Sequence, residues 1–288
     1  MAAAIAAISF ASIFIRWSEA PPEVIAAYRM AFAALILLPL ALREKGRKEL
    51  GSLDLRTVAI LGVVGVVLAI HFYTFNAALN ETSVASATVL VTCHPLLVGI
   101  LGLLLLKEKP RNSGLGIAVG LGGVVVISSA DLGSGQLWGD ALALMGMLAA
   151  TVYLLSGRVL RQRISVVTYA LLVYSFSSAT LFLAAVGAGA ALWPYPVQEI
   201  ALFLALAVVS TIFGHTLLNW SLKYLPAAFV SVSMLGEPVG ASILAALLLS
   251  EVPSVGTVVG GFMVLAGIAL TAGSEQPRLV RGDRTPGQ

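Results

Sequence analysis

The 288-residue chain has few charged residues: Asp, Glu, Lys and Arg make up 11% of it, against about 25% in a typical soluble domain. Its single cysteine, Cys93, excludes an intrachain disulfide and a multi-cysteine metal site. Only three histidines and fourteen acids are present, so we expect no dedicated metal site. The formal net charge of +3 is too small to indicate a nucleic-acid partner.

Motifs of several pump and enzyme classes are also missing. No glycine-rich phosphate loop ends in Lys-Ser or Lys-Thr, which excludes an ATP-driven pump of that class. Neither a Gly-x-Ser-x-Gly nor a His-Glu-x-x-His motif occurs, so a membrane hydrolase would have no evident nucleophile or metal. We expect no cofactor, and an intramembrane enzyme such as a lipid transferase remains a remote alternative.

Hydrophobic residues make up 59% of the chain, which predicts an all-α integral membrane protein. A bilayer-spanning helix needs about 20 mostly apolar residues. The first apolar segment lacks the basic region of a signal peptide, so we expect it to be retained as a helix. Charge clusters, prolines and polar turns divide the chain into ten predicted spans: residues 2–17, 22–42, 55–79, 83–106, 112–130, 137–157, 165–192, 198–222, 227–250 and 254–273.

The loops between these spans alternate in charge. Those after spans 2, 4, 6 and 8, together with the C-terminal tail, hold fifteen lysines and arginines, whereas the other side holds only Arg16. Because cytoplasmic loops carry the excess of Lys and Arg, both termini are predicted to be cytoplasmic. A miscounted span would break this alternation, so the alternation also favours a count of ten spans.

The two halves of the chain match each other at a constant offset of 143 residues. Each half would hold five helices, and an odd number makes the halves enter the membrane from opposite sides. We therefore predict two inverted five-helix repeats, residues 1–134 and 135–273, followed by a polar cytoplasmic tail, 274–288. The matches that carry most weight are Asn76 with Asn219, Pro95 with Pro238, Glu108 with Glu251 and Pro110 with Pro253.

Three motifs resemble those of a known family. Span 2 contains Tyr-Arg-Met-Ala-Phe at 28–32, and two helix-plus-acid blocks run from Ala87 through His94-Pro95 to Glu108 and from Ser231 through Glu237-Pro238 to Glu251. The chain resembles the drug/metabolite transporter superfamily, specifically its ten-helix members built from two EamA-type repeats. Among subgroups it is most similar to bacterial amino-acid exporters of the YddG type.

The resemblance implies a secondary transporter that exports small metabolites from the cytoplasm across a bacterial inner (plasma) membrane. Neutral and aromatic amino acids are the expected substrates, and alternating access between the repeats is the expected mechanism. Multidrug or other metabolite efflux by a carrier of the same superfamily is the alternative. The expected partners are the small-molecule substrate and the lipid bilayer, and we expect the chain to function as a monomer.

Polar and aromatic residues inside the predicted spans are the candidate site, because such groups are costly in lipid and usually face a cavity or a partner. Pro95 and Pro238 each remove a backbone hydrogen bond and kink the helix, which frees the carbonyls of Val91 and Met234. Pro95 and Pro238 are therefore the candidate hinges. The candidate substrate-binding residues are Trp17, His71, Phe75, Asn76, His94, Tyr153, His215, Asn219 and Glu237.

Several of these residues also have structural interpretations. Glu237 would accept a substrate ammonium or a coupling proton, or else pair with Arg29 or a histidine. Arg29 would clamp a substrate carboxylate, or form a structural ion pair, or extend to the outer surface. Asn76 and Asn219 would equally form interhelical hydrogen bonds. Trp17 belongs either to an interfacial aromatic belt or to the mouth of the cavity.

Small residues at spacing four occur in spans 5 and 10. Gly116 and Gly120 lie in the former, and Gly256 and Gly260 in the latter. Such pairs let helices approach closely in membranes. We expect packing within the chain, with a dimer interface as the alternative.

Overall fold

The computed structural model describes residues 1–97, 101, 113–130, 135–225 and 227–272, and all the regular secondary structure in these ranges is helical. Glu108, Pro110 and the tail 274–288 lie outside the described residues. The helices are α1 (Ala2–Trp17), α2 (Pro22–Ala41), α3 (Glu44–Ser52), α4 (Leu55–Glu81), α5 (Val84–Leu97), α6 (Ser113–Ala130), α7 (Leu137–Leu160), α8 (Val166–Gly187), α9 (Val197–Ser221), α10 (Ala227–Ser233, resuming as Gly236–Leu248) and α11 (Val255–Ala272).

Most of these helices are long and apolar. Within the described residues six helices, α2, α4, α7, α8, α9 and α10, are long and apolar enough to cross a membrane, and four shorter apolar helices belong to α1, α5, α6 and α11. The protein is therefore a multi-pass helical membrane protein, and the count of ten spans stays a prediction. The sequence did not predict α3, a polar helix without buried residues that follows span 2.

Local sequence explains where several helices begin. Asp54, Ser83 and Ser165 each precede a helix, and each side chain accepts a hydrogen bond from the backbone N–H three residues later. These are N-caps, which satisfy donors that the first helical turn leaves unpaired. Helix α2 begins instead at Pro22, whose fixed φ suits the first helical position and which has no N–H to satisfy.

Several contacts between helices recur at an offset of 143 residues. An offset of 143 residues relates α1 to α7, α2 to α8, α4 to α9, α5 to α10 and α6 to α11. The contact of α4 with α7 has its counterpart in α9 with α1, and that of α5 with α7 in α10 with α1. In addition α2 packs on α8, α5 on α10 and α6 on α11, so these helices contact their own counterparts. The two halves are therefore interleaved rather than separate bodies.

Glycines allow the close approach of α6 and α11. A Cβ on Gly123 would lie 2.6 Å from the carbonyl oxygen of Gly260, and a Cβ on Gly260 would lie 2.7 Å from that of Gly123. A Cβ on Gly267 would meet the backbone of Gly116 and Gly120. These glycines pack helices within the chain, as the sequence predicted.

We expect Gly260→Ala to destabilise the protein, since a methyl group there can fit only if the two backbones separate. Overpacking of this kind costs about 1–3 kcal/mol. The matched control is Gly261→Ala on the same helix, where the new Cβ would lie 3.6 Å from Val89 Cγ2, an ordinary contact. Thermal unfolding in detergent would show a lower Tm for the first variant only. Equal Tm values would contradict the close packing.

Candidate functional site

A cavity lies inside the bundle where the two halves meet. Its volume is about 30 Å³, which leaves room for a few water molecules at most. A substrate the size of an amino acid therefore requires the cavity to widen. The lining comprises Ala11 on α1, Arg29 on α2, His71, Phe72 and Phe75 on α4, Val91, Thr92 and His94 on α5, Ala150, Tyr153 and Leu154 on α7, His215, Leu218 and Asn219 on α9, and Met234 and Glu237 on α10.

Interrupted helices bring two of the polar residues to this cavity. Helix α5 is interrupted by a turn at Thr92 and Cys93, and α10 is interrupted between its two segments. Near the first turn, His94 Nδ1 lies 3.3 Å from the carbonyl oxygen of Val91. At the second, the backbone N–H of Glu237 donates to the carbonyl of Met234 at 2.9 Å. The carbonyls of Val91 and Met234, which the prolines were predicted to free, thus receive new partners. His94 and Glu237 lie just after the two turns in the sequence.

Arg29 is the buried cation of the cavity, with a side chain that is 1% exposed. Its Nε donates to Thr211 Oγ1 at 2.8 Å, and its guanidinium carbon lies 4.1 Å from the centre of the Phe72 ring. Neither NH1 nor NH2 has a hydrogen-bond partner in the described part of the chain. Burial excludes the alternative that Arg29 extends to the outer surface.

Glu237 is the buried anion of the same cavity. No nitrogen of Arg29 lies within 4.0 Å of its carboxylate, both residues being described. Its carboxylate accepts no hydrogen bond from the described residues. The cavity therefore holds a guanidinium and a carboxylate that do not pair with each other, and unpaired buried charges cost several kcal/mol each.

Imidazole and phenyl rings form one wall. His71 Nδ1 lies 3.0 Å from the carbonyl oxygen of Gly146, and because a carbonyl only accepts, this nitrogen is the protonated one. The ring centres of His71 and His215 are 6.4 Å apart, and that of Phe72 is 5.3 Å from His215. Phe75 stacks parallel to His71 at 6.4 Å. Of these, Phe72 was not predicted.

Hydroxyl and amide groups form another wall. Asn219 Nδ2 donates to the hydroxyl of Tyr153 and lies 3.5 Å from that of Tyr174. The Tyr174 hydroxyl lies 3.0 Å from Thr216 Oγ1. Asn219 therefore both lines the cavity and holds α7, α8 and α9 together, so its two interpretations coexist.

Two predicted residues lie away from the cavity lining. Trp17, at the end of α1, is 47% exposed and packs against Phe14 in a tilted arrangement, with ring centres 6.2 Å apart. Asn76 is fully buried, and its Nδ2 donates to the carbonyl of Pro22 at 3.0 Å, joining α4 to α2. Pro95 and Pro238 follow His94 and Glu237 at the helix interruptions and do not line the cavity themselves.

Sequence reasoning missed Thr211, which the structure places against Arg29. It lies in Leu206–Thr216, a stretch of α9 that is a π-helix rather than an α-helix. Nothing in the composition of the segment indicates that geometry. Arg161 was also missed, because it was counted among the loop charges: it is buried and donates through Nε to the carbonyl of Asn219 at 3.1 Å.

Side chains join the two halves at one end of the bundle. Glu251, after α10, accepts from Arg16 at 2.5 Å and from the backbone N–H of Val84 at 2.5 Å. Glu199, at the start of α9, accepts from the backbone N–H of Glu19 at 2.8 Å and from the Ser18 hydroxyl. These contacts bring together the loops that the charge pattern assigned to the side poor in lysine and arginine.

A third carboxylate joins the halves at the opposite end. Glu49 on α3 accepts from the backbone N–H of Ser165 at 2.6 Å and from the Thr168 hydroxyl at 2.7 Å, at the start of α8. Partial burial acts to raise the pKa of Glu49, but these hydrogen bonds outweigh it and hold the pKa below its ordinary value. The carboxylate therefore stays ionised and bound at neutral pH.

A polar cavity enclosed between two related halves of a multi-pass helical bundle is the architecture of a membrane transporter. The family model of the EamA-like transporter family matches the chain twice, over residues 1–129 and 137–273. The chain belongs to this family, whose two matched regions correspond to the two halves described above.

Curated relatives agree with this assignment, and a solved structure shares the fold. An "Uncharacterized transporter" of Archaeoglobus fulgidus is 26% identical over 275 residues, which cover 93% of both chains. A second protein of that name from the same organism is 28% identical over 263 residues, covering 86% of this chain and 87% of the relative. A chain titled "Crystal structure of protein" superposes with a TM-score of 0.64 at 19% identity, covering 93% of this chain and 94% of its own, which shows the fold alone.

Proposed function

We propose that this protein is a secondary transporter that exports small zwitterionic metabolites, with neutral and aromatic amino acids as the first substrates. The observation that carries the proposal is the pair Arg29 and Glu237: a cation and an anion in one cavity without a direct contact between them. An α-amino acid carries the complementary carboxylate and ammonium. Guanidinium binds carboxylate through two parallel hydrogen bonds, which matches the free NH1 and NH2.

The walls of the cavity support the preference for neutral and aromatic side chains. His71, Phe72, Phe75 and His215 offer π-faces, and Tyr153 offers a hydroxyl. Aromatic pairs contribute about 0.5–1.5 kcal/mol beyond the area they bury. Among the described residues that line the cavity, only Arg29 and Glu237 have side chains that are ordinarily charged at neutral pH, so a strongly charged substrate has few partners.

Efflux of cationic drugs is the alternative, and two observations disfavour it. Ala2 to Ile15 in the first helix contains no acid, whereas small multidrug members of the superfamily carry one there. A buried guanidinium in the cavity would also repel a cation. The family and its relatives are transporters, which favours transport over an intramembrane enzyme.

Transport by alternating access would use the interrupted helices α5 and α10 as hinges, with Pro95 and Pro238 at their bends. The proposal includes a plasma-membrane location with both termini in the cytoplasm, following the charge of the loops. One chain contains both halves of the cavity, so we propose that a monomer suffices.

Uptake of radiolabelled L-phenylalanine into proteoliposomes, with and without an imposed pH gradient, tests the proposal. We expect uptake above that of protein-free liposomes, and competition by other neutral amino acids. Stimulation by the gradient would indicate proton coupling, and indifference to it would indicate facilitated diffusion. Absence of uptake across the neutral and aromatic amino acids would refute the substrate class.

A further inference from the structure

The π-helix of α9 gives Thr211 an unusual set of partners. Its Oγ1 donates to the carbonyl of Leu206, five residues earlier, at 3.0 Å, and Thr216 Oγ1 donates in the same way to the carbonyl of Thr211 at 3.0 Å. In an α-helix residues five apart would be rotated by about 140°, since each residue turns the helix by about 100°. The wider π-helix brings each hydroxyl within reach of the carbonyl five residues earlier, and π-helical turns frequently occur at functional sites.

The hydroxyl of Thr211 has one proton and accepts through its lone pairs. Because the proton goes to the carbonyl of Leu206, the oxygen faces Arg29 as an acceptor, and Nε of Arg29 donates to it at 2.8 Å. The backbone carbonyl of Leu206 therefore fixes the hydroxyl oxygen of Thr211 as the acceptor, without the help of another side chain.

A guanidinium can hold a carboxylate in the plane of the group through two adjacent N–H groups. On Arg29 the Nε is already occupied by Thr211, and the Phe72 ring covers one face at 4.1 Å. The free pair is NH1 and NH2, the two nitrogens that lack partners among the described residues. Only the end of the guanidinium thus remains available to a carboxylate.

We infer that Thr211 is a positioning residue for substrate recognition: it fixes the guanidinium of Arg29 so that NH1 and NH2 receive the carboxylate of the substrate end-on. The inference rests on the proposed function and extends it. The neutral hydroxyl of Thr211, which lies in the other half of the protein from Arg29, becomes a determinant of selectivity for carboxylates. Thr211 would contact no substrate itself.

Three compounds that share a phenyl group separate the two charges of the substrate. L-Phenylalanine carries both charges, 3-phenylpropanoate carries only the carboxylate, and 2-phenylethylamine carries only the ammonium. Their dissociation constants would be measured with the full-length purified protein. Thr211→Val keeps the shape but lacks the acceptor, and Thr211→Ser keeps the hydroxyl.

We expect T211V to raise the dissociation constants of L-phenylalanine and 3-phenylpropanoate by about tenfold or more, in the range of lost hydrogen bonds to charged groups. The constant for 2-phenylethylamine should change less than about threefold, and T211S should bind all three within about threefold of the wild type. The split between carboxylates and amine is the readout that a merely structural role would not produce.

Three results would overturn the inference: unchanged binding in T211V, an equal loss for all three compounds, or an equal defect in T211S and T211V. Failure of the wild type to bind either carboxylate would also overturn it. Thr211-dependent binding of carboxylates without transport of amino acids would leave it standing and refute only the proposed function.

Discussion

Replacing Arg29 by Gln should nearly abolish recognition of carboxylate substrates. Truncating one partner of a buried charge pair costs about 2–5 kcal/mol, and about 1.4 kcal/mol is a factor of ten, so the dissociation constant of L-phenylalanine should rise at least about thirtyfold. Binding of 2-phenylethylamine should be unchanged or tighter, because a repelling cation is removed. The measurement is binding of the same three compounds to the purified protein.

The stability of the same variant distinguishes substrate recognition from a structural ion pair. Arg29 forms no salt bridge among the described residues, so only its contacts with Thr211 and Phe72 are lost. We expect Tm to change by no more than about 4 °C, which corresponds to roughly 1–2 kcal/mol. The exposed Arg163 supplies the control Arg163→Gln, with no expected effect. Collapse of Tm with retained affinity in the folded fraction would assign Arg29 to structure.

Replacing Glu237 by Gln should weaken the binding of compounds that carry an ammonium group and leave the binding of a compound with only a carboxylate nearly unchanged. The amide keeps the shape of the carboxylate but lacks the charge that attracts an ammonium group. We expect the dissociation constants of L-phenylalanine and 2-phenylethylamine to rise by about tenfold or more, and that of 3-phenylpropanoate to change less than about threefold. Any stimulation of uptake by a pH gradient in the wild type should disappear in the variant.

The control for Glu237 is Glu19→Gln, because Glu19 is exposed at the end of the bundle and lies outside the cavity lining. It should transport as the wild type does. Wild-type uptake and wild-type response to the pH gradient in E237Q would remove Glu237 from the mechanism. Selective loss of 3-phenylpropanoate binding would instead mean that its role is to orient Arg29.

The small volume of the cavity and the contacts at both ends describe a conformation in which the two halves are held together on both sides. Glu49 joins them at one end, and Glu251 and Glu199 join them at the other. Each carboxylate accepts a backbone N–H from the opposite half. In the alternating access proposed above, these contacts would have to separate when the cavity opens at that end.

Sequence patterns predicted much of the architecture. Apolar segments between charged loops predicted a multi-pass helical protein, and the offset between Pro95 and Pro238 predicted the paired interruptions of α5 and α10. Most of the polar residues chosen from the spans, among them His71, Tyr153 and Glu237, line the cavity. They were identifiable because polar side chains in apolar helices are costly and few.

The sequence was less informative about which side of its helix each polar or aromatic side chain occupies. Trp17 and Asn76 belong to the same residue classes as the cavity residues, yet one faces outward and the other joins α2 to α4. In helices that are apolar on every side, no amphipathic pattern distinguishes the face toward the cavity from the face toward lipid. Arg161 illustrates the same limit at a helix end, where a residue counted as a loop charge is buried.

The sequence alone determined the class of protein. A lipid bilayer requires long apolar segments and an uneven distribution of lysine and arginine between the loops, and both features can be recognised in the sequence. Only the tertiary structure decided how Arg29 is held. The π-helical stretch of α9 leaves no mark on the hydrophobic pattern, and Thr211 meets Arg29 across 182 positions of sequence. Which N–H groups remain free for a ligand depends on those long-range contacts, which exist only once the helices have packed.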